Sequence, residues 1–440
     1  MHKLKAFGAA LLAGATILLQ ISTSYAAYEP DFDVEANAVY MVNLDTGKVL
    51  YEKNAQEKIY PASTTKILTA ALALENIPDL DNTTMELKLY IQNAISGKGL
   101  SLAGILRGDS FTARELLYAT MLPSGNEAAM MLADYMGDGS VDYFNEMMNK
   151  KAQELGAVNT HFTNSNGMHD PNHYTTAYDL YLITRYAMGI DGFMEIANTS
   201  YFYGGEDQNG NPLHWNTTNK MIVPGSEYYY QYAKGIKTGT TDEAGRCLIS
   251  TAEKNGYTYL LVLMGAPMYD SNGEMLAQNK AFTESKALYE WAFGSFKNKT
   301  LIEKGKGVGE VPLKLAKGGK DYLLMMSGDI FTDLLPNEIE PSSITYEIEV
   351  PPVVQAPIEK GEQIGTIHLM LGGEEIGSVP AVAAESVESS LPAVLLDSFK
   401  RLFRGYWAKF AVIFILLSVL SYIGITVLRG YNKNKYYRGR

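Results

Sequence analysis

Pro61-Ala62-Ser63-Thr64-Thr65-Lys66 opens a run, Ile67 to Leu74, that is apolar and unbroken until Pro78. A proline followed by a serine just ahead of such a run predicts a helix that begins here. Ser63 and Lys66 are three apart, so on that helix they share a face. Two further stretches extend the pattern. Ser124-Gly125-Asn126 follows Pro123 between two helical runs, and Lys237-Thr238-Gly239-Thr240 stands just before a strand. Taken singly, these read as a helix start with a solvated lysine, a helix restart with Asn126 as cap, and an ordinary turn. In one order along one chain, they supply the parts of a serine acyl-transfer site with lysine in place of histidine.

Each residue type suits that chemistry. A serine hydroxyl is a weak nucleophile and needs an adjacent base. Lysine serves when burial lowers its pKa, because desolvation disfavours the ammonium form. At a helix start, Ser63 also lies where backbone N–H groups and the dipole favour developing negative charge. The Ser124 hydroxyl can relay a proton between Lys66 and a leaving amine, and the Asn126 amide can hold a substrate carbonyl. Lys237 and Thr238 can grip a carboxylate, and Gly239 lets a substrate backbone come close. The N–H groups of Thr240 and Ser63 can pair as an oxyanion hole.

Rival chemistries have less to draw on. Cys247 is the only cysteine, so an intramolecular disulfide is impossible. It sits in the strand-like run Gly245-Arg246-Cys247-Leu248-Ile249 and is expected to pack as a small hydrophobe. His169 and His173 have an H-x-x-x-H spacing, but Pro171 between them argues for a loop and no third ligand suggests itself. No metal or other cofactor is expected. The net charge of −12 over 440 residues argues against nucleic-acid binding, which wants a basic face.

The ends of the chain read as membrane signals. Residues 1–26 combine a basic start, an apolar stretch from Ala6 to Ile21 and the small-x-small site Ser24-Tyr25-Ala26, the pattern of a cleaved signal peptide. Residues 410–428 form an uncharged 19-residue stretch, close to the length needed to cross hydrocarbon. Tyr406, Trp407 and Tyr431 flank it as interfacial aromatics. Residues 429–440 are basic and expected in the cytoplasm, with everything before the span outside the membrane. Residues 385–409 read as a Ser/Glu-rich linker and an amphipathic helix that sets Leu395, Leu396, Phe399, Leu402 and Phe403 against Lys400, Arg401 and Arg404.

Between these ends, two textures alternate. In residues 27–297, strand signals come first (Ala38–Leu44, Val49–Tyr51) and last (Arg246–Ala252, Tyr257–Gly265), with helical runs between them and another from Glu284 to Phe296. The economical architecture is α+β, an antiparallel sheet built from both ends with a helical region inserted. In residues 298–384, short β-like runs are split by Lys/Gly turns, and Pro351, Pro352 and Pro357 exclude long helices, which indicates a small all-β domain.

At this point the chain resembles the serine D-Ala-D-Ala carboxypeptidases, the low-molecular-mass penicillin-binding proteins of peptidase family S11. The likeness extends beyond the three motifs to Tyr60-Pro61-Ala62, Glu127-Ala128-Ala129, His173-Tyr174-Thr175-Thr176-Ala177-Tyr178-Asp179-Leu180, Gly235-Ile236, and Ala356 to Gly365 in the β region. The resemblance implies a β-lactamase/transpeptidase-like fold and a two-step reaction on peptidoglycan stem peptides ending in D-Ala-D-Ala. Ser63 would be the nucleophile, Lys66 the base, and Ser124 the proton donor to departing D-Ala. Asn126, Lys237, Thr238, Gly239 and Thr240 would bind substrate, and β-lactams would acylate Ser63. Such members often carry an arginine shortly before the last helix of the catalytic domain, where this chain has Gln278-Asn279-Lys280. Two alternatives remain. A class A β-lactamase would need a Glu-x-x-Leu-Asn run, which is missing, and an inactive wall-binding protein would not need all three motifs intact.

Overall fold

The computed structural model describes residues 28–404 and 406–437, so the expected signal peptide and the last three residues of the basic tail lie outside it. The described residues divide into two compact units, one running to Lys297 and the other starting at Asn298.

The first unit is built on a five-stranded antiparallel sheet in the order β2-β1-β9-β8-β7. Strands β1 (Ala38–Asn43) and β2 (Val49–Lys53) come from the start of the unit, and β7 (Ala233–Thr241), β8 (Gly245–Lys254) and β9 (Tyr257–Ala266) from its end. Eight successive residues of β9, Tyr259 to Ala266, are buried. A strand covered on both faces needs no apolar–polar alternation, which is why Tyr259-Leu260-Leu261-Val262-Leu263-Met264 is apolar throughout. One cover is the helix Lys280–Ser295, whose Tyr289 hydroxyl donates to the Ser250 carbonyl of β8 at 2.6 Å.

The inserted region packs on the other side around the helix Lys66–Asn76, in which every residue from Lys66 to Ala73 is buried. A helix apolar all round belongs in a core, and each Leu or Ile buried there contributes about 1.5–3 kcal/mol. Its neighbours are the helices Ala113–Met121, Asn126–Met136, Val141–Glu154 and Ala177–Met188. Three of them start at capping side chains, Thr112, Ser140 and Thr176. Thr112, for example, forms a capping box with Glu115. Two short antiparallel pairs lie outside the sequence expectations: β3 (Thr84–Glu86) with β4 (Ser110–Thr112), and the hairpin of β5 (Tyr201–Glu206) with β6 (Pro212–Asn216).

The second unit contains a six-stranded sheet in the order Thr345–Glu349, Gln363–Leu371, Glu374–Ala383, Tyr322–Ser327, Gly307–Lys314, Val354–Gln355, and Phe296–Ile302 pairs with Phe331–Pro336. Its hairpin between Gln363–Leu371 and Glu374–Ala383 turns on Gly372 and Gly373, with φ of 62° and 91°, the left-handed pair that a two-residue turn requires. The stretch read as a linker is bonded at its start, since Val387 bridges Ile358 and Ser389 bridges Ala316. Helices Leu391–Arg404 and Tyr406–Tyr437 follow, and within the second, Lys409–Gly430 is long and apolar enough to cross a membrane.

Candidate active site

The segment carrying Ser63 is a 3-10 turn, Ala62–Thr65, and the α-helix starts only at Lys66. This corrects the expectation of an α-helix from Pro61. It also strengthens the pairing, because side chains at i and i+3 eclipse in a 3-10 turn. Both threonines of the motif hold the turn. Thr64 Oγ1 donates to the Pro61 carbonyl at 2.6 Å and Thr65 Oγ1 to the Ala62 carbonyl at 2.9 Å. Within Ala62–Lys66, Ser63 alone keeps partial exposure.

Lys66 is fully buried. Its Nζ lies 3.0 Å from Ser63 Oγ, 3.1 Å from Asn126 Oδ1 and 2.6 Å from the Asn166 carbonyl. Nζ donates to all three oxygens; in a neutral amine two N–H groups suffice for Asn126 and Asn166, which leaves the lone pair to accept the Ser63 proton. Burial first and the nearby Lys237 charge second push the Lys66 pKa well below its ordinary value, against the opposing Glu127 carboxylate.

Asn126 opens its helix rather than capping it. Its Nδ2 donates to the Ser101 carbonyl at 2.8 Å while Oδ1 faces Lys66. Ser124 has φ of 63°, a left-handed backbone that costs an L-residue about 1–2 kcal/mol. Its hydroxyl is buried without a partner, which suits a group whose partner arrives with the substrate. Ser124→Gly removes the strained Cβ and the hydroxyl together. We expect the melting temperature to rise by roughly 2 °C while kcat falls about 100-fold. Thermal melts and D-alanine release on one preparation check this, and a variant with lower stability and unchanged kcat would contradict it.

The third motif lies on β7, the outer strand of the sheet. Lys237 is buried, its pKa lowered to about 7 by desolvation, and its Nζ donates to the Thr238 carbonyl at 3.1 Å. The Thr238 hydroxyl pairs with that of Thr218 at 2.6 Å, and Thr240 Oγ1 donates to the Gly239 carbonyl at 2.7 Å. A Cβ on Gly239 would stand 3.1 Å from Ser63 N and 3.0 Å from the Pro61 carbonyl, so β7 lies directly against the serine turn. Across the ladder, Arg246 faces Thr240 and donates to the Gln278 carbonyl at 2.8 Å. Lys280, where the resemblance leads one to look for an arginine, pairs instead with Glu35 at 2.5 Å.

Four contributors lie outside the three motifs. Asn166 supplies a backbone carbonyl to Lys66, and Gly167 (φ 83°) passes so close to Ser63 that an added Cβ would lie 1.9 Å from the Ala62 carbonyl oxygen. Glu127 Oε1 accepts from the backbone N–H of Ala103 (2.6 Å), Gly104 (3.0 Å) and Ile105 (3.4 Å), clamping the loop that includes Ser101; burial still pushes its pKa up. His173 Nδ1 accepts from the Thr163 N–H at 3.0 Å, so Nε2–H donates to Thr65 Oγ1 at 2.8 Å, and burial lowers its pKa to about 3. Only an imidazole held neutral can bridge that way. His169 instead meets the edge of the Tyr60 ring at 4.6 Å. Cys247 is buried, with its thiol pushed up to about 12 by desolvation, the setting of an inert core residue.

Comparisons with known proteins find relatives across both units. The sequence profile described as D-alanyl-D-alanine carboxypeptidase matches residues 23–268, and that of the penicillin-binding protein 5 C-terminal domain matches residues 296–389. D-alanyl-D-alanine carboxypeptidase DacF of Bacillus subtilis is 29% identical over 340 residues, covering 77% of this chain and 82% of its own. A D-alanyl-D-alanine carboxypeptidase of Streptomyces sp. strain K15 is 34% identical over 264 residues, covering 57% of this chain and 86% of its own. The crystal structure of the D-alanyl-D-alanine carboxypeptidase DacD from Francisella tularensis superposes with a TM-score of 0.63 at 25% identity, covering 82% of this chain and 96% of that one.

Proposed function

Since the chain belongs to the D-alanyl-D-alanine carboxypeptidase family, a serine-type carboxypeptidase of peptidoglycan metabolism, we propose how its own residues divide the reaction. Ser63 Oγ attacks the carbonyl of the penultimate D-alanine, and its proton passes to Lys66 Nζ. The tetrahedral oxyanion is held by the N–H groups of Ser63 and Thr240. The C–N bond then breaks as Ser124 Oγ hands a proton to the leaving D-alanine and is resupplied from Lys66. Water attacks the resulting ester, gives its proton to Lys66, and Ser63 recovers its hydroxyl. Asn126 orients the substrate, Gly239 admits its backbone along β7, and Lys237 with Thr238 receives its terminal carboxylate. A β-lactam follows the first half of this path, but its amine stays tethered after ring opening and the ester persists. The observation that carries the reading is the buried Lys66 amine 3.0 Å from Ser63 Oγ.

Placement relative to the membrane belongs to the same proposal. The signal peptide (residues 1–26) delivers the catalytic domain (27–297) and β domain (298–384) outside the cytoplasmic membrane. The amphipathic segment (385–409), with Leu395, Leu396 and Phe399 exposed, lies on the outer face. Residues 410–428 span, and 429–440 remain in the cytoplasm. One experiment tests site and placement together. A membrane-impermeant fluorescent penicillin added to intact cells should label the full chain, and peptide mapping should find the adduct on Ser63. Labelling only after lysis would overturn the placement, and an adduct on another side chain would overturn the nucleophile.

A further inference from the structure

The β5–β6 hairpin has two faces of different character. Its inner face is pinned. Phe202 stacks between Tyr118 (centroids 3.9 Å) and Trp215 (6.0 Å), and Trp215 Nε1 donates to the Ala103 carbonyl at 2.8 Å. Gly204 lies against the Trp215 ring, where a Cβ would stand 2.6 Å away. A two-stranded ribbon is marginal alone, so these contacts fix it to the loop that Glu127 clamps. The outer face carries a row of three rings, Tyr201, His214 and Tyr203, with Tyr201 and Tyr203 50% and 49% exposed. His214 lies 5.9 Å from Tyr201 and 5.7 Å from Tyr203, and the Tyr201 hydroxyl bonds its Nδ1 at 2.7 Å.

The hairpin leads along the chain to the third motif. β6 ends at Asn216, and two residues later the Thr218 hydroxyl meets Thr238 of the third motif. Four residues separate Thr218 from His214, at most about 13 Å of chain. A peptide stem reaching back about four residues from the cleaved bond spans a similar length, roughly 13 Å. What hangs from that end of the stem is a sugar. Pyranose rings present C–H groups on their faces, which suit the electron-rich faces of tyrosine.

Resting on the carboxypeptidase reading, we propose that the Tyr201–His214–Tyr203 face is a platform for the glycan to which the stem is attached. The test uses the full chain in detergent, as wild type and as Tyr201→Ser/Tyr203→Ser, whose sites are exposed. Two substrates are compared, a sugar-free pentapeptide ending in D-Ala-D-Ala and the same pentapeptide on its disaccharide. Binding of the peptide-free disaccharide is followed by saturation-transfer NMR. The double variant should lose about tenfold in kcat/KM on the glycan-linked substrate, stay within about twofold on the free peptide, and lose the disaccharide signal. An equal loss on both substrates, no loss on either, or no disaccharide signal with wild type overturns the platform. So does a wild-type dimer that dissociates on substitution, since a second copy would then be the occupant. Disaccharide binding that persists where neither peptide is cleaved supports the platform and counts against the carboxypeptidase reading.

Discussion

Ser63→Ala should abolish penicillin labelling and lower D-alanine release by at least about 10⁴-fold, while the melting temperature stays near that of wild type. The size follows from the geometry. The hydroxyl lies 3.0 Å from the buried Lys66 amine, and the other groups in the proposed reaction act on a bond only after a nucleophile has reached it. Stability should barely move because Ser63 is partly exposed and the turn is held by Thr64 and Thr65. Lys66 keeps its bonds to Asn126 and Asn166 without the hydroxyl. Penicillin labelling, D-alanine release and a thermal melt on the same protein decide the matter. Residual acylation within tenfold of wild type would remove Ser63 from the role proposed for it.

Gly167→Val should be nearly as damaging by a different route. At φ of 83°, a β-branched residue is strained on its own. Its Cβ would also fall 1.9 Å from the Ala62 carbonyl oxygen and 2.9 Å from Ser63 N, so the backbone on one side or the other must move. Neither segment is loose. Asn164 Oδ1 accepts from the N–H groups of Gly167 and Met168, and Thr69 Oγ1 donates to the Ser165 carbonyl at 2.6 Å. We expect a loss of about 4 kcal/mol, a melting temperature lower by roughly 10 °C, and acylation slowed at least about 100-fold. If the valine variant does not accumulate, Gly167→Ala carries the same clash with less bulk and should show the same pairing of defects. Wild-type acylation in a folded variant would show that this close approach does not position the serine.

The legible part of the site was the part written in side-chain identity at short range. Ser63, Lys66, Ser124, Asn126, Lys237 and Thr238 announce themselves by motif, and the structure sets Lys66 against Ser63 and Asn126 and the third motif's Gly239 against the Ser63 turn. The rest depended on backbone. The Asn166 carbonyl and the Gly167 approach come from a loop whose sequence, Ser165-Asn166-Gly167, reads as any turn. The Tyr201–His214–Tyr203 face escaped for a related reason. Its aromatics alternate as a strand should, but the exposed set is as apolar as the buried one, so no hydrophobic period marks it. The linker shows the converse limit, since its Ser/Glu-rich composition gave no sign that Val387 and Ser389 bond back to the β unit.

What the amino-acid order decided alone was the chemistry available and the coarse architecture: three motifs in sequence, strands at both ends of a helical insertion, a β-rich tail and an apolar stretch long enough to span. These follow from periodicity and from residue types whose reactivity is intrinsic. What only tertiary structure decided was the state of the groups. The Lys66 pKa is lowered because the helix carrying it runs through the core, where desolvation and the Lys237 charge act on it together. Both arise from segments far apart in the chain, and a pKa answers to the three-dimensional neighbourhood rather than to adjacent residues.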